Sequence, residues 1–191
     1  MTPQNLALSV LSILAMLLAS AAWSDFKHHR IPNSIVFSGV VAGILLNSLL
    51  APGLGFANKY APGAGGFAFA LGGLGLGLAC LLPFYLLRAM GAGDVKLMAM
   101  VGAFLGPADL LGAVVFTFLA GGAMALVVAT RSHAWNPLGQ NVRVMLLGGL
   151  INASMGKAPM IDAPAQSAGK MPYGVAIAAG ALAWVLWRMF V

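Results

Sequence analysis

Acidic charge is the scarcest thing in this sequence. Of 191 residues only four are acidic, the aspartates Asp25, Asp94, Asp109 and Asp162, and glutamate is absent. Charged residues of both signs make up 7% of the chain against 61% hydrophobic, where a soluble domain carries about a quarter charged residues. So few charges cannot cover a water-exposed surface without large apolar patches that aggregate. A soluble fold is therefore excluded, and the bilayer becomes the solvent. Cysteine is nearly missing as well. Cys80 is alone and lies inside an apolar run, which excludes an internal disulfide and a multi-cysteine zinc site. The net charge of +6 suggests nucleic acid at first sight. The basic residues, however, fall in short gaps between apolar runs rather than on an amphipathic face interleaved with aromatics. No nucleic-acid partner is expected.

What is there reads as an all-α integral membrane protein, a single membrane-embedded domain over residues 1–191. The length has room for about six spans of ~20 residues with short connections. The first apolar run covers 5–23. Ala19-Ser20-Ala21 resembles a signal-peptide cleavage site, but no basic region precedes the run, so a retained transmembrane helix is expected. A polar segment, 24–30, leads to Ile31-Pro32-Asn33 and a second span over 34–50. Proline costs nothing at a helix start, and the asparagine amide suits a cap. A Gly/Pro-rich loop, 51–66, precedes a third span over 67–87, in which Gly73 and Gly77 allow close helix approach. The fourth apolar piece, 97–105, is too short to cross unless it begins near Asp94, and Gly106-Pro107 ends it. A fifth span runs to about residue 130 and a sixth covers 171–187. Between these two, Val142, Met145, Leu146, Gly149 and Leu150 recur at helical spacing, which predicts a cytoplasmic helix lying on the membrane surface.

Six spans put both termini on one side. Lys27, Arg30, Arg88, Lys96, Arg131, Arg143, Lys157 and Lys170 then share one face, leaving Lys59 and Arg188 on the other. The positive-inside bias makes the first face cytoplasmic and both termini external.

In this arrangement Asp25 and Asp94 stand at the same cytoplasmic boundary. Carboxylates at membrane depth are costly and mark function. Two at close range share one proton, so one carboxylate can draw a proton from water while the other donates to a scissile carbonyl. Gly91 and Gly93 leave room for a substrate backbone beside Asp94. On spacing alone, an interfacial pairing of these acids with Lys27, Arg30, Arg88 or Lys96 competes with catalysis. Lys96 either favours the charged form of Asp94 or snorkels to headgroups. Asp109 is expected to cap a helix on the outer face, and Asp162 to be solvated. His28 and His29 are adjacent and would point apart on a helix, without a third ligand; no metal is expected there.

Three stretches resemble the prepilin peptidases, GxGD-type aspartyl proteases that trim type IV pilin precursors. Asp25 stands six residues before Ile31-Pro32-Asn33. Gly91-Ala92-Gly93-Asp94-Val95-Lys96-Leu97 matches GxGDxKL and continues into Gly102-Ala103-Phe104-Leu105-Gly106. Met171-Pro172-Tyr173-Gly174 resembles the opening of the family's last span. The resemblance implies Asp25 and Asp94 as the catalytic dyad, with Gly91, Gly93, Lys96, Pro172, Tyr173 and Gly174 shaping the substrate site. It also implies no cofactor, a bacterial inner-membrane location, and a prepilin or pseudopilin substrate cut at the cytoplasmic face. Longer members carry an N-terminal region with a four-cysteine motif associated with N-methylation. The short first loop and lone Cys80 look like the minimal Tad/Flp-type (Cpa-like) form, without the methyltransferase region.

Two other classes stay in view: a proton- or cation-coupled transport component, and a non-catalytic subunit of a secretion assembly. The topology has its own test in intact cells. A cysteine placed at 59 is expected to react with an impermeant thiol reagent and one at 157 to be protected; the reverse pattern would overturn the orientation.

Overall fold

Inside a bilayer every backbone N–H and C=O must find a partner within the protein, which leaves helices as the natural form for these apolar runs. The computed structural model describes residues 3–49, 65–87, 90–131 and 172–190. These form five helices: α1 (Pro3–His28), α2 (Asn33–Leu49), α3 (Phe67–Leu86), α4 (Ala92–Arg131) and α5 (Tyr173–Phe190). Four contain segments long and apolar enough to cross a membrane, Leu8–His28, Phe67–Leu86, Ala92–Val128 and Tyr173–Phe190, while α2 is shorter and equally apolar. Large apolar side chains face outward on all of them, including Met16, Trp23, Phe37, Leu82, Leu119 and Leu186. Lipid is the environment that suits such a surface.

The expected count of six helices is corrected to five among the described residues. The expected fourth and fifth spans are two helical limbs, 92–105 and 107–131, that follow one another through a non-helical break at Gly106 within the 40-residue element α4. Gly106 joins them with φ 73° and ψ 177°, a backbone conformation that only glycine adopts without strain. Pro107 then opens the second limb, where its missing N–H is no loss. The reversal is tight. A side-chain carbon added at Gly102 would meet Leu110 at 3.1 Å, so residues on either side of the bend lie against each other.

The first limb is the pillar of the molecule. Leu97, Met98, Met100, Val101, Phe104 and Leu105 are all 0–1% exposed, apolar on every side as a helix surrounded by helices must be. Its neighbours approach through small residues. On α3, Gly73 touches Gly102 and Gly106, and Gly77 lies 2.6 Å, counted to an added Cβ, from the Met98 carbonyl oxygen. On α2, Gly39 meets Met100 and Gly43 meets Phe104. On α5, Gly180 sits against Thr117 of the second limb, and Trp184 against Gly112. From these pairings α3 runs antiparallel to the first limb and α2 parallel to it. In the same way, α5 is antiparallel to the second limb. The C-terminal end of α1 and the N-terminal ends of α2, α4 and α5 therefore gather at one end of the bundle.

Two further expectations change. Asp25 was placed in a polar segment after the first span, but α1 continues through His28, and Asp25 is buried on its inner face at 6% exposure. Asp109 lies in the first turn of the second limb rather than acting as its cap. It accepts a 2.9 Å hydrogen bond from Arg188 Nε at the far end of the bundle. The predicted surface helix over 142–150 lies outside the described residues, as do Asp162 and Lys59.

The bend needs one polar residue. Pro107 has no N–H to offer the Ala103 carbonyl four residues earlier. Asn47, 4% exposed on α2, supplies the missing donor: its Nδ2 lies 2.8 Å from Ala103 O and 3.3 Å from Phe104 O. Asn47→Leu keeps the volume and removes both bonds. It is expected to destabilise the protein by about 1–3 kcal/mol, read as a lower melting temperature in detergent, whereas an unchanged melting temperature would show that the carbonyls need no donor.

Candidate active site

The end of the bundle that collects Asp25 and Asp94 is built from helix termini. Pro172 accepts a hydrogen bond from Val175 N–H at 3.1 Å, which starts α5. Gly174, in that first turn, has its amide free to donate outside its own helix. It donates to Asp25 Oδ2 at 2.7 Å. Asp25 thus caps α5 from another helix, 149 residues away in the chain, in the position where the positive end of the helix dipole favours a carboxylate. The fit is close. A Cβ on Gly174 would lie 2.9 Å from Asp25 Oδ2 and 3.0 Å from its Cβ, so no larger residue lets the carboxyl approach that amide.

Asp94 is held by a different version of the same device. Gly91 precedes α4 and its carbonyl accepts Asp94 N–H at 3.1 Å. The Asp94 side chain reaches back, and its Oδ2 accepts Gly91 N–H, also at 3.1 Å. This is the third-position half of a capping box, with aspartate as the acceptor and a main-chain bond in place of the side-chain one that glycine cannot make. Asp94 is 9% exposed, and it stands at the same end of the bundle as Asp25. In each acid Oδ2 accepts a main-chain amide.

The remaining residues singled out from the sequence are placed around this pair. Gly93 faces Ile31, 3.3 Å from an added Cβ. Lys96 does not reach Asp94; its Nζ donates to Asn33 Oδ1 at 3.2 Å, so the Asn33 side-chain oxygen serves the lysine. Tyr173 packs on the core and lines the approach of α5 to Gly121 of α4. Pro172 contributes the carbonyl that opens α5. His29 has a positive φ of 50° and its N–H bonds to Asp25 O at 2.8 Å, closing α1. The Ser24 hydroxyl adds a 2.9 Å bond to Arg30 O. Among the described residues, no group of three or more His, Cys, Asp or Glu side chains converges as a metal site would.

Two contacts were not legible beforehand: the cap that Asp25 places on α5 and the bond between Asn33 and Lys96. A glycine directly after Pro-Tyr at the start of a span was the signal for the first. Nothing in spacing alone points to the second.

Residues 12–126, well over half of the chain, match the type IV leader peptidase family. The chain belongs to that family. Its match contains Asp25, the 31–33 turn and the whole Gly91–Lys96 segment, so both buried acids fall within what the family shares. A prepilin leader peptidase/N-methyltransferase of Myxococcus xanthus is 28% identical over 141 residues. That alignment covers 69% of this chain and 38% of the relative, so the chain spans well under half of that protein's length. No solved structure matches the chain.

The Asp25–Gly174 contact yields a direct test. Gly174→Ala is expected to cost about 1–3 kcal/mol through overpacking, seen as a lower melting temperature in detergent. Asp25→Ala removes the carboxyl that the new methyl would strike, so in that background the same change should cost less. Equal costs in both backgrounds would show that the methyl does not meet Asp25.

Proposed function

We propose that this member of the leader peptidase family is an intramembrane aspartyl endopeptidase, with Asp25 and Asp94 as its catalytic pair. One observation carries the reading. Two buried carboxyls stand at the same end of the bundle, each fastened through Oδ2 to a main-chain amide. Carboxyls at membrane depth are costly to bury, which marks such a pair as functional.

The chemistry follows from the pair. Carboxyls that act on each other share one proton. The ionised member removes a proton from a water molecule, whose oxygen attacks the scissile carbonyl carbon. The protonated member gives its proton to the carbonyl oxygen, producing a neutral gem-diol. The first acid, now protonated, gives its proton to the amide nitrogen while the second, now ionised, takes one from a gem-diol hydroxyl; the C–N bond breaks, leaving a carboxylic acid and an amine. Both acids are then back in the protonation states in which they began. The two main-chain bonds keep both carboxyls oriented through this exchange, which is the positional rigidity that such catalysis requires.

The substrate assigned to this site is a type IV prepilin or pseudopilin of the Flp type. It would be cut between its short basic leader and the apolar helix that follows. Support comes from the family match and from the name of the Myxococcus relative. The same end of the bundle carries Lys27, Arg30, Lys96 and Arg131, with Arg188 at the other end. That distribution supports a cytoplasmic position for the site in a bacterial inner membrane and external termini. The proposal is confined to peptide cleavage and does not extend to the methyltransferase half of the relative's name.

Leader removal from a pilin precursor in detergent tests the proposal. Asp25→Asn and Asp94→Asn are each expected to abolish cleavage, with the double variant no worse than either, because the two acids act as one unit. Activity should fall on both sides of an optimum pH, as the base is protonated at one end and the shared proton is lost at the other. Asp109→Asn and Asp162→Asn should keep most activity. Cleavage by Asp94→Asn at the parent rate would rule out the aspartyl mechanism and leave a transport or scaffolding role.

A further inference from the structure

We infer that Asn33 and Lys96 are positioning residues whose hydrogen bond, together with the seat of Ile31 on Gly93, fixes where Asp94 stands relative to Asp25. The inference rests on the peptidase reading above and adds to it the part that sets the geometry of the pair.

The two acids come from helices that have little else in common at this end. Asp25 is three residues from the last residue of α1, and Asp94 is in the first turn of α4. Each is fastened locally, Asp25 to α5 and Asp94 to its own helix start. Neither bond ties one acid to the other. The segment that does connect them is 29–33. It leaves α1 through the His29 N–H to Asp25 O bond, so its first residue is hydrogen-bonded to the backbone of the first acid. The Ser24 hydroxyl holds its second residue at Arg30 O.

The other end of the segment is fastened to the second acid's helix. Ile31 lies against Gly93, the residue directly before Asp94, at 3.3 Å from an added Cβ. Asn33 Oδ1 accepts Lys96 Nζ at 3.2 Å, two residues after Asp94. Asp94 is thus gripped on both sides by one short stretch whose other end is anchored on Asp25. Pro32 between the grips holds its own φ near −65°, which stiffens the stretch. Lys96 is a charged donor that gives this hydrogen bond to an uncharged oxygen rather than a carboxylate. That suits a fastening better than a switch, since the bond keeps its acceptor whatever the protonation state of the pair.

A bond near the surface contributes little to global stability. Its loss should therefore appear in turnover and leave the melting temperature nearly unchanged. The experiment uses the full chain in detergent, with Asn33→Ala, Lys96→Met, the double variant and Asn33→Asp. Leader removal is followed as kcat and KM across pH. In parallel, a Cys80→Ser background carries spin labels at the exposed positions 27 and 92 for distance measurement. Asn33→Ala and Lys96→Met should each lower kcat about ten- to a hundredfold, as small misplacements of reacting groups do. KM and the shape of the pH profile should hold, and the 27–92 distance distribution should broaden. The double variant should be no worse than the worse single, because one bond is lost in each case. Asn33→Asp, which keeps an acceptor for Lys96, should stay near the parent in both rate and distance.

Contrary results are equally specific. A pH profile moved by Lys96→Met and not by Asn33→Ala would overturn the inference in favour of direct action of the lysine on Asp94. A raised KM with unchanged kcat would overturn it in favour of substrate contact. Parent-like kcat and distances in both singles would overturn it outright. If Lys96→Met does not fold, Asn33→Ala and Lys96→Gln decide by the same readouts. Should the peptidase reading itself fail, with Asp94→Asn still cleaving, the label distances alone continue to test the fastening.

Discussion

A carboxyl group inside a lipid-embedded bundle has to be given hydrogen-bond donors by the protein, and the arrangement of this molecule is organised around that requirement. The donors are found where a helical protein has them to spare, at helix N-termini. Asp25 takes one from the first turn of α5, and Asp94 takes one from the residue that opens α4. The helix starts therefore have to be at the same end of the bundle as the acids. Everything else that gathers there follows from this, including the glycines that let backbone and carboxyl come together.

The opposite end solves a related problem with the reverse chemistry. There the chain must turn back within α4, and the turn strips carbonyls of their donors. Asn47 replaces them from α2. Since α2 also carries Asn33 at its first turn, one short helix holds the first limb of α4 at top and bottom. Close packing of Gly39 on Met100 and Gly43 on Phe104 fills the distance between these polar points. Together with Gly73 and Gly77 of α3, which lie against the other side of the same limb, α2 fixes the register of α4 and with it the depth of Asp94.

Much of the architecture was readable in the sequence because lipid makes simple demands. Charge scarcity gave the membrane, and apolar runs gave the helices to within a few residues. The start of the fourth span near Asp94 followed from length alone, and α4 indeed begins at Ala92. The break at Gly106-Pro107 was legible, since Gly106 ends one helical limb and Pro107 opens the next. What the sequence did not show is that the two limbs join through a single residue as one element, with Asn47 making good the missing bonds. The end of α1 was also set too early. Polar residues 24–30 look like a loop until it is known that α5 supplies a donor for Asp25 and allows the helix to continue. The two acids and the glycines beside Asp94 were legible as a set. Contacts between distant segments, Asn33 with Lys96 above all, depend on how helices cross and leave no local trace.

The long reach of the Asp25–Gly174 bond has a consequence for how the protein comes into being. Asp25 enters the membrane with α1, and its amide partner is synthesised 149 residues later. Throughout that interval the nascent chain carries an acid in the bilayer boundary with no α5 to cap. The Asp25 carboxyl is capped only once α5 is in place, so a chain halted before residue 174 holds both aspartates and lacks the amide that orients the first of them. Membrane insertion of α1 and completion of the site are thereby separated in time.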